Sequence, residues 1–192
     1  MTEQRVLDPT TANPYRFTVD QFIALNDQGL FEGYAKSELL EGEIVVMNAQ
    51  YSRHARVKSR LALALGNALH ALGSSLEVLS EVSIRLSDGS LPEPDITLTD
   101  YRGDSFVPLA HVALVVEVSD TTLGHDLGRK AALYAAAGIF EYWVIDLNGR
   151  RALLHERPSP HGYEGQREVR LGEPLHSATI AGLSASTKGM AD

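Results

Sequence analysis

Residues 112–146 read VALVVEVSDTTLGHDLGRKAALYAAAGIFEYWVID, and the fold turns on this stretch. Its first part, Ala113 to Val118, is a valine-rich apolar run broken by one carboxylate, Glu117. A near-continuous apolar run of this length predicts a strand buried on both faces. A carboxylate in such a strand is costly unless it is paired or binds a metal. Lys130, in the next segment, is the candidate partner. The pattern from Asp126 to Ala137 predicts a helix stopped by Gly138. Asp126, Lys130 and Tyr134 are spaced four apart and therefore share one face. Asp126 is placed to tune the lysine or to hold its own place at the helix start, and Tyr134 to orient the lysine by a hydrogen bond. Glu141 to Leu147 reads as the next strand, Asn148-Gly149 as a hairpin turn, and Arg151 to Glu156 as its antiparallel return. Upstream, Glu93-Pro94-Asp95-Ile96 opens another strand and brings a second acid.

Outward from this unit the signals are more ordinary. Residues 1–16, with Pro9 and Pro14, read as an N-terminal arm. Thr18 and Gln21 fit a capping box for a short helix that ends near Gly29. Glu41-Gly42 predicts a turn and Glu43 to Met47 a strand. Glu38, Glu41 and Glu43 are candidate accessory acids, with a solvated acidic face as the plain alternative. Ser52 is positioned to cap a long helix that runs to about Leu72 and ends at Gly73, because Val57, Leu61, Leu65, Ala68 and Leu72 recur at three or four residues. Arg53, Arg56, Lys58 and Arg60 gather positive charge in its first half. That is either a solvated face or a contact for phosphates. His54 in its first turn is a further accessory candidate. Leu76 to Leu86 reads as one strand or two with a bend, Asp88-Gly89 as a turn, and Asp95 to Thr99 as a strand, so that Leu76 to Thr99 resembles a hairpin with Asp95 entering its second arm. Beyond Arg157, Pro158, Pro160 and Gly162 mark a turn, a strand is expected near Glu168 to Leu171, and the small, polar tail from Ala181 is expected to fray. The chain is thus read as one domain over residues 17–180, between an arm (1–16) and a tail (181–192).

Composition narrows the class. A chain of 192 residues with 44% hydrophobic and 22% charged residues is long enough for one full core. It has no cysteine, which excludes disulfides and thiolate metal sites and is compatible with a reducing compartment. The first residues carry no apolar signal segment, and no run approaches the roughly 18 apolar residues of a membrane span. A cytoplasmic protein without a membrane partner is the expectation. A net charge of −8 argues against a broad basic surface for nucleic acid. It leaves room for a metal-dependent phosphodiesterase, whose cation-binding acids add to the negative total.

Four segments together resemble a known family. They are SELLEGEIV at 37–45, YSRHARV at 51–57, PEPDI at 92–96 and VVEVSDTTLGHDLGRKAALYAAAGIFEYWVIDL at 115–147. The order strand–Pro-Asp, strand–Glu, then a helix with Asp-x-x-x-Lys and Tyr resembles the Uma-type (DUF820-like) restriction endonuclease family of the PD-(D/E)XK nuclease superfamily. The resemblance implies an α/β fold with a central mixed β-sheet flanked by helices, restriction-endonuclease-like. It implies catalytic roles for Asp95, Glu117 and Lys130. Asp95 and Glu117 would bind Mg²⁺ or Mn²⁺, with the Val118 backbone carbonyl as a further ligand. The wider superfamily usually carries its lysine two residues after the second acid. That position here is Ser119, and the lysine moves to the helix as Lys130, where this family commonly has it.

Three functional readings follow. The first is a Mg²⁺-dependent endonuclease that acts on DNA, as a homodimer if both strands are cut. The second is a nuclease fold that has lost catalysis and serves as a nucleic-acid or protein binding module. The third is a metal-binding structural domain. Taken singly, Asp95 reads as a turn residue at the start of a strand, and Glu117 with Lys130 as a structural ion pair. Together with the resemblance, they read as a hydrolytic site.

Overall fold

The computed structural model of the chain describes residues 13–190, so most of the expected arm and the last two tail residues lie outside the described residues. Helix α1, Val19–Asp27, starts with the expected capping box, in which Thr18 and Gln21 satisfy each other's backbone N–H groups. Strands β1 (Lys36–Leu40) and β2 (Glu43–Met47) form an antiparallel hairpin. Its two turn residues, Glu41 and Gly42, both have positive φ (52° and 80°), the geometry that matches the twist of the strands. A Cβ at Gly42 would also lie 2.6 Å from the Cβ of Arg16, so no larger residue fits there without movement.

Helix α2 is long, Ser52–Ala71, and ends where Gly73 adopts φ 63°. Its N-cap is Tyr51 rather than Ser52, and no side chain caps it, because Ser52 already has its place in the first turn. There follow β3 (Glu77–Ser80), the short β4 (Ile84–Arg85), β5 (Ile96–Thr99), the short β6 (Val107–Pro108) and β7 (Val112–Ser119). The bend allowed for between Leu76 and Leu86 is therefore present. Helix α3 spans residues 123–136, with a wider π-type turn over Asp126–Lys130 between two α-helical pieces. After it come β8 (Glu141–Asp146), β9 (Arg151–Ser159), β10 (Gly162–Arg170), β11 (Leu175–His176) and β12 (Ser184–Ala185). Pro158 lies inside β9 rather than in a turn, and β10 is longer than the strand expected over 168–171.

Six strands form one mixed sheet in the order β10-β9-β8-β7-β5-β3. β7 and β8 are parallel, with α3 as the crossover between them, while the remaining neighbours are antiparallel. β7 and β8 hold the centre because their apolar runs suit burial on both faces. On one face Leu114, Val116, Val118, Trp143 and Ile145 pack with Val57, Leu61, Leu65 and Leu69 of α2. On the other, Val115, Tyr142 and Val144 pack with Ala131 and Tyr134 of α3. A smaller cluster joins α1 to β1 through Val19, Phe22, Phe31 and Leu39.

The expectation of a frayed tail is corrected by the described residues. Leu183, Ala185 and Met190 belong to the main core, and Thr187 is fully buried. The Thr187 hydroxyl accepts from Gly172 N–H and donates to the Glu173 carbonyl, so a polar composition here reflects internal hydrogen bonding rather than solvation.

Candidate active site

Strand register brings the two candidate acids together. β5 and β7 pair antiparallel with Ile96 opposite Val116, so the next position outward sets Asp95 opposite Glu117. β3 pairs with β5 with Ser80 opposite Ile96, which sets Glu81 opposite Asp95 at the same end of the sheet. Glu81 has φ 54° and donates its N–H to the Asp95 carbonyl at 3.2 Å. Three acids thus line up across three adjacent strands.

Asp95 is 2% exposed. Its Oδ2 accepts from the Val118 N–H at 2.8 Å and lies 3.1 Å from His54 Nε2. Its Oδ1 is buried without a hydrogen bond, and the nearest cation is Lys58 Nζ at 3.9 Å. Burial pushes the Asp95 carboxyl up. The hydrogen bond and charge of His54, then Lys36 and the Val118 N–H, outweigh it and hold the group at about 2.

Glu117 is also buried. Its Oε1 accepts from Lys130 Nζ at 2.8 Å and from the Tyr134 hydroxyl at 3.2 Å, while its Oε2 meets the Asp95 N–H at a long 3.4 Å. Burial drives its carboxyl up, the Lys130 charge works against that, and neighbouring Asp95 adds to the rise. Lys130 is itself 2% exposed and gives a second bond, at 2.9 Å, to Glu38 Oε1. Burial works against its charge; Glu117 and Glu38 outweigh that and hold it as an ammonium. Glu38 is fully buried, accepts the Glu93 N–H at 2.8 Å, lies 3.6 Å from Lys36 Nζ and leaves Oε2 without a partner. Tyr134 is pushed well above its ordinary range by burial and then by Glu117, so it stays a neutral donor.

Asp126 binds the end of β7 and the loop that precedes α3 rather than the lysine. Its Oδ2 accepts from Ser119 Oγ at 2.5 Å and Thr122 Oγ1 at 2.6 Å. Ser119, two residues after Glu117, thus anchors the helix which carries the lysine. Above these groups opens a cleft of about 360 Å³, lined among others by Lys36, His54, Asp95, Glu117, His125 and Lys130. A separate hollow of about 480 Å³ lies against α1 and is lined mainly by Phe22, Phe31, Phe106 and neighbouring polar residues. It holds neither Asp95 nor Glu117.

Of the ten candidates, the structure groups Asp95, Glu117, Val118, Lys130, Glu38, His54, Asp126 and Tyr134 around this cleft. It does not bring Glu41 and Glu43 there. Both are exposed on the β1–β2 turn and pair with Arg129 at 3.4 and 2.8 Å, and the Arg129 hydrogen bond lowers the Glu43 carboxyl. Lys36, His125 and Glu81 were not singled out, and Lys58 only as one of four cations on α2 open to phosphate contact. Lys36 stands two residues before Glu38 in β1, on the same strand face, and Lys58 one helical turn after His54, so both spacings were readable. Among the described residues no three His, Cys, Asp or Glu side chains form a ready-made metal cage. Oxygen capacity is nonetheless left open at Asp95 Oδ1 and Glu38 Oε2. Buried carboxylate oxygens of this kind suit a hard dication that keeps part of its water shell.

Comparison with known proteins agrees with this architecture. The model of the Uma2 family, described as "Putative restriction endonuclease", matches residues 19–188. A solved structure from Anabaena variabilis, described as "a putative nuclease belonging to DUF820", superposes with a TM-score of 0.65 at 14% identity, covering 91% of this chain and 97% of that one. At that identity it shows a shared fold. A chain of the DrdV–DNA complex aligns with a TM-score of 0.32 at 15% identity, over 59% of this chain and 12% of that one. No curated protein sequence matches.

Proposed function

This chain belongs to the Uma2 family, and from that membership we propose that it is a metal-dependent endonuclease that hydrolyses DNA phosphodiester bonds. The observation that carries the proposal is the meeting of Asp95 and Glu117 on one cleft floor, with the Lys130 ammonium 2.8 Å from Glu117. Asp95 would hold Mg²⁺ or Mn²⁺ through its open Oδ1 and Glu117 through Oε2, which has only the long contact from the Asp95 N–H, with the Val118 carbonyl as a third donor. A dication so held supplies charge neutralisation at the phosphorane-like transition state and makes a bound water more acidic.

The protein's own groups supply the rest. Lys130, kept protonated by two carboxylates, acts as a fixed cation and hydrogen-bond donor that orients the attacking water or pairs with the scissile phosphate. Tyr134 fixes the Glu117 carboxylate from its other side. His54 and the Val118 N–H hold Asp95 ionised and turned so that Oδ1 stays free. Asp126, tied to Ser119 and Thr122, keeps the start of α3 in place and with it the lysine. We further propose a cytoplasmic homodimer, since cleavage of both strands of a duplex is simplest with two sites; sedimentation at micromolar concentration tests it.

The deciding experiment is cleavage of supercoiled and linear DNA with Mg²⁺ or Mn²⁺. Cleavage that a chelator stops, and that Asp95→Ala and Glu117→Ala each abolish while the variants stay folded, supports the proposal. Wild-type rates in both variants would remove the site assignment. Folded protein that binds Mn²⁺ and DNA but cuts neither substrate would point to an inactive binding module instead.

A further inference from the structure

Lys58 is the buried charge at this end of the sheet for which the proposed reaction has no use. It lies on α2 one turn after His54, is 9% exposed and does not line the cleft. Its Nζ reaches Glu81 Oε1 at 2.5 Å and stops 3.9 Å from Asp95 Oδ1, beyond hydrogen-bond range. That Asp95 oxygen has no hydrogen bond. Glu81 is half exposed and held opposite Asp95 by its own backbone. The lysine is thus poised between two acids, bonded to the outer one and withheld from the inner one.

We propose that Lys58 is a built-in counter-cation that sets how tightly Asp95 holds a divalent metal, and that Glu81 is the tether which keeps Lys58 from closing on Asp95. The inference rests on the reading of Asp95 as a metal ligand. A fixed positive charge about 4 Å from a ligand oxygen repels an arriving dication, and the repulsion is strong where water is scarce. A lysine fully engaged with Asp95 Oδ1 would also occupy the oxygen that Asp95 leaves open. Drawing the ammonium toward Glu81 relieves part of both effects. The arrangement therefore weakens metal binding without preventing it, and two residues on opposite sides of the ammonium change affinity in opposite directions. Lys58 acts through Asp95 and is a positioning residue.

The test measures Mn²⁺ affinity on the full chain by electron paramagnetic resonance of free Mn²⁺, with no nucleic acid present. Lys58→Met, which keeps the buried aliphatic volume, is expected to tighten Mn²⁺ binding by about tenfold. Glu81→Gln, at a half-exposed position, is expected to weaken it by a few fold, as the released ammonium moves toward Asp95. The double variant should bind like Lys58→Met, because the tether has nothing left to hold. Unchanged or weaker binding in Lys58→Met overturns the proposal, as does tighter binding in Glu81→Gln or a wild-type protein that takes up no Mn²⁺. The outcomes separate from those of the nuclease reading. Opposite shifts in a protein that cuts no DNA would leave this inference standing and remove that one, and active protein with unshifted variants would do the reverse.

Discussion

Glu117 and Glu141 are both glutamates buried in adjacent central strands, and their surroundings are opposite in kind. Glu141 is fully buried, and five neutral donors fill its oxygens. Trp143 Nε1–H and the Ala178 N–H serve Oε1, while the Ser177 hydroxyl and the Thr179 N–H and hydroxyl serve Oε2. No salt bridge joins it to a cation among the described residues. Glu117 has a lysine shared with a second acid, one tyrosine hydroxyl and one long backbone contact. A carboxylate that closes a loop is saturated with fixed dipoles. The carboxylates around Glu117 keep oxygen capacity open and share one buried ammonium.

The largest effect that would test this contrast is on the structural side. Glu141→Ala should cost about 3–5 kcal/mol in urea unfolding, since it removes five hydrogen bonds at once and leaves the buried Trp143 N–H without an acceptor. A loss below about 1 kcal/mol would mean that water replaces the carboxylate freely and that the contrast is overdrawn. Lys130→Met should cost about 3 kcal/mol, because it leaves Glu38 and Glu117 buried without their cation. Lost cleavage in that variant is informative only beside a measured stability. Lys130→Arg, which keeps the charge but not the compact ammonium, should recover much of the stability and little of the cleavage.

A smaller effect concerns acid. Asp95 titrates at about 2 in the folded chain against an ordinary value of 3.8. A depressed carboxyl contributes stability that is complete above the ordinary value and lost as pH falls through the folded one, here between about pH 4 and pH 2. The contribution is about 2 kcal/mol. Asp95→Asn should flatten that limb of a stability profile, and an unchanged limb would assign it to other carboxylates. Smallest is Tyr134→Phe. Loss of its hydroxyl bond to Glu117 should cost about 1 kcal/mol, measured by thermal unfolding, with the fold intact.

Much of this was readable in the chain because it is local. The capping box at Thr18, the recurrent apolar face of α2 and the valine run of β7 each lie within a few turns or one strand and formed as expected, except that Leu69 closes the α2 face in place of the expected Leu72, which is exposed. The joining of Asp95 to Glu117 is not local. It depends on a register between strands 22 residues apart, which the resemblance implied and the residues alone did not fix. Lys36 and Glu81 escaped because charged residues at element ends look alike whether they face water or a neighbour, and Lys58 was read only as part of the basic half of α2. Glu38, Glu41 and Glu43 looked equivalent as a cluster; the turn at Gly42 sends the first inward and leaves the other two with Arg129. Glu141 and the tail were missed for one reason. Their polar atoms are satisfied by partners 36 to 38 residues away in one case and 14 to 15 in the other, and composition carries no trace of that.

The wide turn in α3 has a consequence for how such chains are found. Asp126–Lys130 winds as a π-type turn, which accommodates one more residue than an α-turn between fixed flanks. The segment therefore has a residue of slack between the group that anchors the helix and the group that reaches the cleft floor. Glu117 and Lys130 meet across 13 residues, and no rule of stereochemistry fixes that interval. A search keyed to a rigid gap between acid and lysine would pass this chain over, whereas one keyed to the strand that presents the acid and the helix that returns the lysine would retrieve it.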